Sequence, residues 1–184
     1  MTDTSHLSTA HNSPALSQKQ VSREIVSQAI SYILNDIITE NEKDENNKDA
    51  KDQETKKDIF CGTKPPSISI HNFIKRFIKY TNLEKSTLIM SLIFLDRYTE
   101  LTQIKINILN IHRLLITSII TAIKFNEDDY FENSYYAKIG GISAKECNFL
   151  ELGYVKGVEY NLYVPEDVYE KYDKYLSKFS ELDD

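Results

Sequence analysis

Apolar residues recur at three- and four-residue steps along most of this chain, and that period predicts helices almost throughout. The first stripe comprises Val21, Ile25, Val26, Ala29, Ile30, Ile33, Leu34, Ile37 and Ile38, with Arg23, Glu24, Gln28, Asn35 and Asp36 lying off it. It predicts an amphipathic helix over 17–39. Ser17 and Gln20 have capping-box spacing at its start, and Leu16 is placed to staple onto Val21. A second stripe joins Ile70, Phe73, Ile74, Phe77 and Ile78, with Lys75, Arg76 and Lys79 on the other face. Asn82 then stands where it would cap a helix whose apolar residues run from Leu88 to Tyr98 and cover most of its circumference. Leu114, Leu115, Ile116, Ile119, Ile120, Ile123 and Phe125 make a further enclosed helix. A short helix over 134–139 stops at Gly140-Gly141, a C-terminal cap. Ser143 and Glu146 repeat the capping-box spacing and open a helix carrying Leu150, Tyr154 and Val158. Pro165 suits the first turn of a last helix with Val168, Tyr172, Leu176 and Phe179 on one side. No two-residue alternation competes. The expected fold is all-α, with five helices between 69 and 160 and one more on each side.

Two stretches break the pattern. Residues 1–16 are rich in Ser and Thr and read as a disordered tail, in which Ser13-Pro14 matches a proline-directed phosphorylation site only by two residues. Residues 40–58 hold eight acids, five lysines and no large apolar side chain, the mark of a flexible charged insertion. Order resumes at Ile59-Phe60, and Pro65-Pro66 imposes an extended approach to the next helix. The expected organisation is therefore a tail (1–16), an amphipathic helix (17–39), an insertion (40–58), a helical domain (59–165), and a last helix with its tail (166–184).

A net charge of −6 argues against the basic field that nucleic-acid binding needs. Polar residues interrupt every apolar stretch before about 18 residues, so no membrane span is expected. The N-terminus has no basic segment followed by an apolar core, so no signal peptide is expected; two cysteines suggest a reducing compartment, and an intracellular setting, nuclear or cytoplasmic, is the expectation. Cys61 and Cys147 fit no zinc spacing, and Cys147 reads as a buried reduced thiol. No glycine-rich phosphate loop, nucleophile elbow or metal-binding histidine pair occurs. His71 and His112 each lie near a helix start, and Glu127, Asp128 and Asp129 read as a solvated turn. No catalytic residue, metal, cofactor or small-molecule substrate is expected.

What remains is a set of charged and small residues inside apolar helices. Lys124 ends one such helix, where a cation is favoured, and Glu151 flanks the apolar side of another. Their partners are either each other or groups on a second protein. Asp96-Arg97 reads as a packing device, a structural ion pair or hydrogen-bonded acid. Gly153 and Gly157, four apart in a helix, each cost about 1 kcal/mol relative to alanine, which implies a close neighbour.

The segments PSISIHNFIKRFIKYTNLEKSTLIMSLIFLDRY and LLITSIITAIKFNEDDYFENSYYAKIGGISAKECNFLELGYVKGVEYNLYV resemble, in order and spacing, a cyclin box of the phosphate-system (P/U-type) cyclins. The resemblance covers about residues 59–165, and the helix at 17–39 fits the one these cyclins carry before the box. It implies a five-helix box without catalytic activity, which binds a cyclin-dependent kinase and holds its C-helix inward. Lys124 and Glu151 match the family's kinase-contacting lysine and glutamate, and the role implied is in the cell cycle or in nutrient (phosphate) signalling; Phe125, Lys156 and the helix at 17–39 are further contacts expected beside them. The large mitotic cyclins carry an arginine that pairs with the aspartate of the second box helix. Ser67 occupies that place here, so Asp96 must find another partner. About twenty residues follow the box, too few for a second five-helix repeat. The competing expectation is a cyclin-like adaptor for a non-kinase protein, working through helix 17–39 and the Gly153/Gly157 groove.

Overall fold

A computed structural model describes residues 17–46 and 58–181. The described residues form seven α-helices: α1 (Gln18–Asn46), α2 (Ile70–Thr81), α3 (Lys85–Thr102), α4 (Ile111–Asn126), α5 (Asn133–Gly140), α6 (Ala144–Gly157) and α7 (Glu166–Ser177). A 3-10 turn over Lys178–Glu181 follows, and no strand occurs among the described residues. The tail at 1–16, with Ser13-Pro14, lies outside the described residues, as does 47–57 of the expected insertion.

α4 is the hub. Every residue from Ile111 to Ile123 except Arg113 is buried. Its isoleucines lower intrinsic helix propensity by a few tenths of a kcal/mol each, whereas burying each side chain contributes about 1.5–3 kcal/mol, so packing decides the conformation. α3 lies along it, buried without a break from Thr87 to Leu95. α5 and α6 pack on α4, α1 crosses α2 and α3, and α7 closes over α1 and α3.

α1 departs from expectation in two ways. It runs to Asn46 rather than stopping at residue 39. The added turns are charged, but extending an existing helix avoids the cost of nucleation. They are also tied down, since Asn41 Nδ2 donates to the Ile106 carbonyl at 2.9 Å and Lys105 reaches Asp44 at 3.5 Å. Its buried face is also rotated. Arg23, Ser27 and Ser31 are buried while Val21 is exposed. Ser27 and Ser31 satisfy their hydroxyls on the carbonyls of Glu24 and Ser27, at 2.9 and 2.8 Å, so small polar residues line the helix contact. The capping box at Ser17 and Gln20 forms in both directions, at 2.8 and 3.3 Å.

Asn82 does not cap α3. It adopts a left-handed conformation (φ 50°) and closes α2, and Glu84 takes the N-cap place of α3. Asparagine tolerates that backbone better than most side chains. Pro165 likewise stands just before α7 rather than within its first turn. Gly141 (φ 73°) caps α5. At α6 the Ser143 hydroxyl accepts from the Glu146 amide at 3.0 Å, while the Glu146 carboxylate turns away to Arg113 at 2.8 Å.

The chain docks at Phe60 after the charged segment. Asp58 accepts from the Phe60 amide and from Asn110 Nδ2, both at 2.8 Å. The buried Phe60 ring stands edge-on to Tyr98 and Tyr154, which stack at 4.7 Å. This knot explains the glycines of α6. A side chain at Gly157 would overlap the Tyr98 ring, and one at Gly153 would overlap Ile59. The Gly153/Gly157 groove is thus filled from within, while α1 is docked through its apolar face and keeps Gln28, Asn35 and Asp36 exposed on the other side.

Candidate functional site: a three-helix junction

Lys124, in the last turn of α4, and Glu151, in the middle of α6, meet at 2.7 Å between Nζ and Oε1. The pair is partly open to solvent, with side-chain exposures of 29% and 20%. The other carboxylate oxygen of Glu151 accepts from Asn133 Nδ2 at 2.6 Å, and the same amide donates to Asn148 Oδ1 at 2.7 Å. Three helices therefore converge on one carboxylate. A cation at the C-terminal end of α4 also complements the helix dipole. The Cys147 thiol, one turn before Glu151, is pushed up to about 11, mainly by burial and then by the Glu151 charge. It is buried and stays protonated at neutral pH.

Phe125 is half exposed and stands edge-on to Phe94 of α3 at 6.1 Å. Lys156 is not part of the junction. It lies five residues beyond Glu151, about 140° around the helix, and shares its exposed face with Phe149 and Leu152. The α6 residues that flank Glu151 along the helix are Asn148 and Val155. Their i−3 and i+4 spacing was the available sign of them. Asn133 carried no comparable signal, because its approach to Glu151 depends on how α5 docks.

The acidic link after α4 is anchored rather than wholly solvated. Glu127 accepts from the Thr87 hydroxyl at 2.8 Å, and the Tyr136 hydroxyl accepts from the Phe131 amide at 3.0 Å. Asp128 and Asp129 remain exposed. Asp96 and Arg97 do not pair with each other. Asp96 accepts from the Tyr172 hydroxyl of α7 at 2.7 Å, which supplies the partner that Ser67 cannot. Burial raises the Asp96 pKa, the Tyr172 hydrogen bond opposes this, and Glu100 adds to it. Arg97 donates to the carbonyls of Asn161 and Tyr163, holding the segment before α7. His112 is buried, donates from Nε2 to the Ile68 carbonyl at 2.9 Å and stands edge-on to Phe73. Among the described residues no cluster of three or more His, Cys, Asp or Glu is placed to hold a metal. No described helix is long and apolar enough to cross a membrane.

The family model for Cyclin matches residues 24–162, from the first turns of α1 to just beyond α6. Cyclin-U4-1 of Arabidopsis thaliana is 42% identical over 127 residues, covering 68% of this chain and 63% of that protein. Cyclin-P3-1 of Oryza sativa subsp. japonica is 36% identical over 141 residues, 77% of this chain and 58% of that protein. Cyclin-P4-1 of the same rice is 34% identical over 143 residues, 77% and 68% respectively. The chain thus spans less than two thirds of the length of the first two of these relatives. The match takes in α1 together with the five-helix unit α2–α6 and the junction at Lys124 and Glu151, and the chain belongs to the cyclin family, of the P/U type, whose role is regulatory.

Proposed function

We propose that this cyclin is the regulatory subunit of a cyclin-dependent serine/threonine kinase, and that the Lys124–Glu151 junction faces the kinase's regulatory C-helix. The observation that carries this reading is the junction itself: a lysine and a glutamate, matching by resemblance the family's kinase-contacting pair, that meet at 2.7 Å, with Glu151 held by Asn133 and both side chains partly open to solvent. Groups fixed before binding lose less conformational entropy on association. The chain would act by population shift, binding the kinase conformation in which its lysine–glutamate pair positions ATP better than the inactive one. Moving such an equilibrium from 1:99 to 99:1 takes about 5.5 kcal/mol of differential binding. Charge-assisted hydrogen bonds supply roughly 1.5–3 kcal/mol each, so Lys124 and Glu151 need the apolar support of neighbours such as Phe125 and Val155.

The internal pair makes a charge swap informative. Lys124→Glu combined with Glu151→Lys restores the intramolecular pair, and the Asn133 amide can flip to offer its oxygen to the new lysine. Stability should stay within about 1 kcal/mol of wild type. Retention of the kinase in pull-downs with kinase paralogues from the source organism should fall at least about tenfold, equivalent to about 1.4 kcal/mol. Phosphorylation of a test substrate should fall with it. Undiminished retention by the swapped chain rejects the site. Failure of the wild-type chain to retain any kinase, or stable capture of a non-kinase protein without stimulation of a kinase, rejects the function.

A further inference from the structure

Where the first turns of α1 meet the end of α2, a groove of about 340 Å³ opens between the two helices. Gln20, Arg23 and Glu24 line one wall; Lys75, Lys79 and Asn82 line the other. Arg23 is 8% exposed, and its charge meets only neutral acceptors. Nη1 donates to the Asn82 carbonyl at 3.4 Å, to Asn82 Oδ1 at 3.0 Å and to the Leu83 carbonyl at 3.2 Å. Nε is enclosed and has no acceptor. The carboxylates close by are already engaged. Glu24 holds Lys75 at 2.9 Å and His71 at 3.4 Å, and Glu84 holds Lys19 at 2.7 Å. Lys79 meets the Tyr80 ring, its ammonium 5.4 Å from the centroid. Neither Arg23 nor Lys79 has a carboxylate within ion-pair distance among the described residues.

Part of the Arg23 charge is offset by its place at the C-terminal end of α2, where it binds the carbonyls of Asn82 and Leu83 just beyond the helix. That explains why an arginine is buried there. It does not explain Lys75 and Lys79 on successive turns of α2 facing the same groove in a chain of net charge −6. Three cations against one carboxylate leave two positive charges uncompensated. A largely buried guanidinium without a counter-charge is costly, and an anion from solution would relieve it.

We propose that the α1–α2 groove binds a phosphoryl-class oxyanion, with Lys79 and Lys75 as its direct partners and Arg23 as the fixed charge behind them. A phosphoryl group carries about −1.5 to −2 charge and three acceptor oxygens, which matches the surplus better than a single carboxylate does. Two sources share that chemistry: free inorganic phosphate, and a phosphorylated side chain of a protein.

The experiment is an amide-shift titration of the full chain with inorganic phosphate and, in parallel, with phosphoserine, each against chloride at matched ionic strength. Both anions should move the amides of residues 20–24 and 75–82 saturably. Tighter binding of phosphoserine identifies a protein-borne group as the source; equal or weaker binding identifies the free anion. Arg23 variants risk unfolding the α1–α2 contact, so the deciding variant is Lys79→Glu, on the surface of α2. It should weaken binding by about tenfold or more, while Lys138→Glu, exposed on α5, should change it by less than about twofold. Absence of a saturable shift specific to phosphate, or equal effects of the two substitutions, overturns the site.

Discussion

Glu151 shows how much one side chain can be asked to do. One oxygen holds Lys124 and the other takes the Asn133 amide, so the carboxylate is oriented before any partner arrives. Its neighbour Cys147 provides a local check on the packing. With the thiol raised to about 11, its thiolate is scarce at neutral pH, and the side chain is buried as well. Cys61 is exposed. A thiol-reactive disulfide reagent near pH 7.5 should therefore titrate one cysteine in the native chain and both after denaturation. Two fast thiols in the native state would contradict the packing around Glu151. Cys147 as a buried thiol was legible in the sequence, because it falls on the apolar side of its helix with Leu150, Tyr154 and Val158. Arg23 was not. Helical periodicity places it off the apolar stripe, and only the approach of the α2 terminus makes its burial favourable.

Among the elements, α7 shows most clearly how a contact distant in sequence is recruited. Tyr172 reaches Asp96, Lys85 pairs with Asp173 at 2.6 Å, and Leu176 is fully buried. The raised pKa of Asp96 gives this clamp a pH signature. The folded state holds the Asp96 proton more tightly than the unfolded chain does, so the unfolded state binds fewer protons between the ordinary value of 3.8 and the raised one. In that window the Asp96 contribution to stability falls as pH rises, and it is most favourable below 3.8. Asp96→Asn keeps an oxygen to accept from Tyr172 and removes the charge. It should leave stability at neutral pH equal or higher, and it should remove that component of the slope in denaturant midpoints followed from about pH 4 upward. A marked loss of stability at neutral pH would mean that the charge itself holds α7. The sequence required a partner for Asp96 and left it unnamed, since Tyr172 is 76 positions away and only the docking of α7 brings it close.

The molecule as a whole is one continuous apolar cluster that runs from α1 through the central α3–α4 pair to Leu176 of α7. Phe60 joins the segment before α2 to that cluster through Tyr98 and Tyr154. Phe60→Ala should cost roughly 3–5 kcal/mol. Unfolding should remain a single transition by circular dichroism and tyrosine fluorescence, because no part of the cluster stands apart. Separate transitions by the two probes would show that α1 or α7 is an independent unit. The all-α architecture, the five-helix unit and the placement of Lys124 and Glu151 on apolar helices were determined by the sequence alone. Helical periodicity is local, and it needs nothing beyond the order of residues. Only the tertiary structure decided how those helices spend their polar groups: that Lys124 and Glu151 meet directly while Asn133 takes the second carboxylate oxygen, that Lys156 lies outside that junction, that Gly153 and Gly157 admit Ile59 and Tyr98, and that Arg23 lies buried beside two lysines. Those outcomes depend on distances between residues far apart in the chain. Such distances are set by helix crossings and side-chain volume rather than by spacing along it.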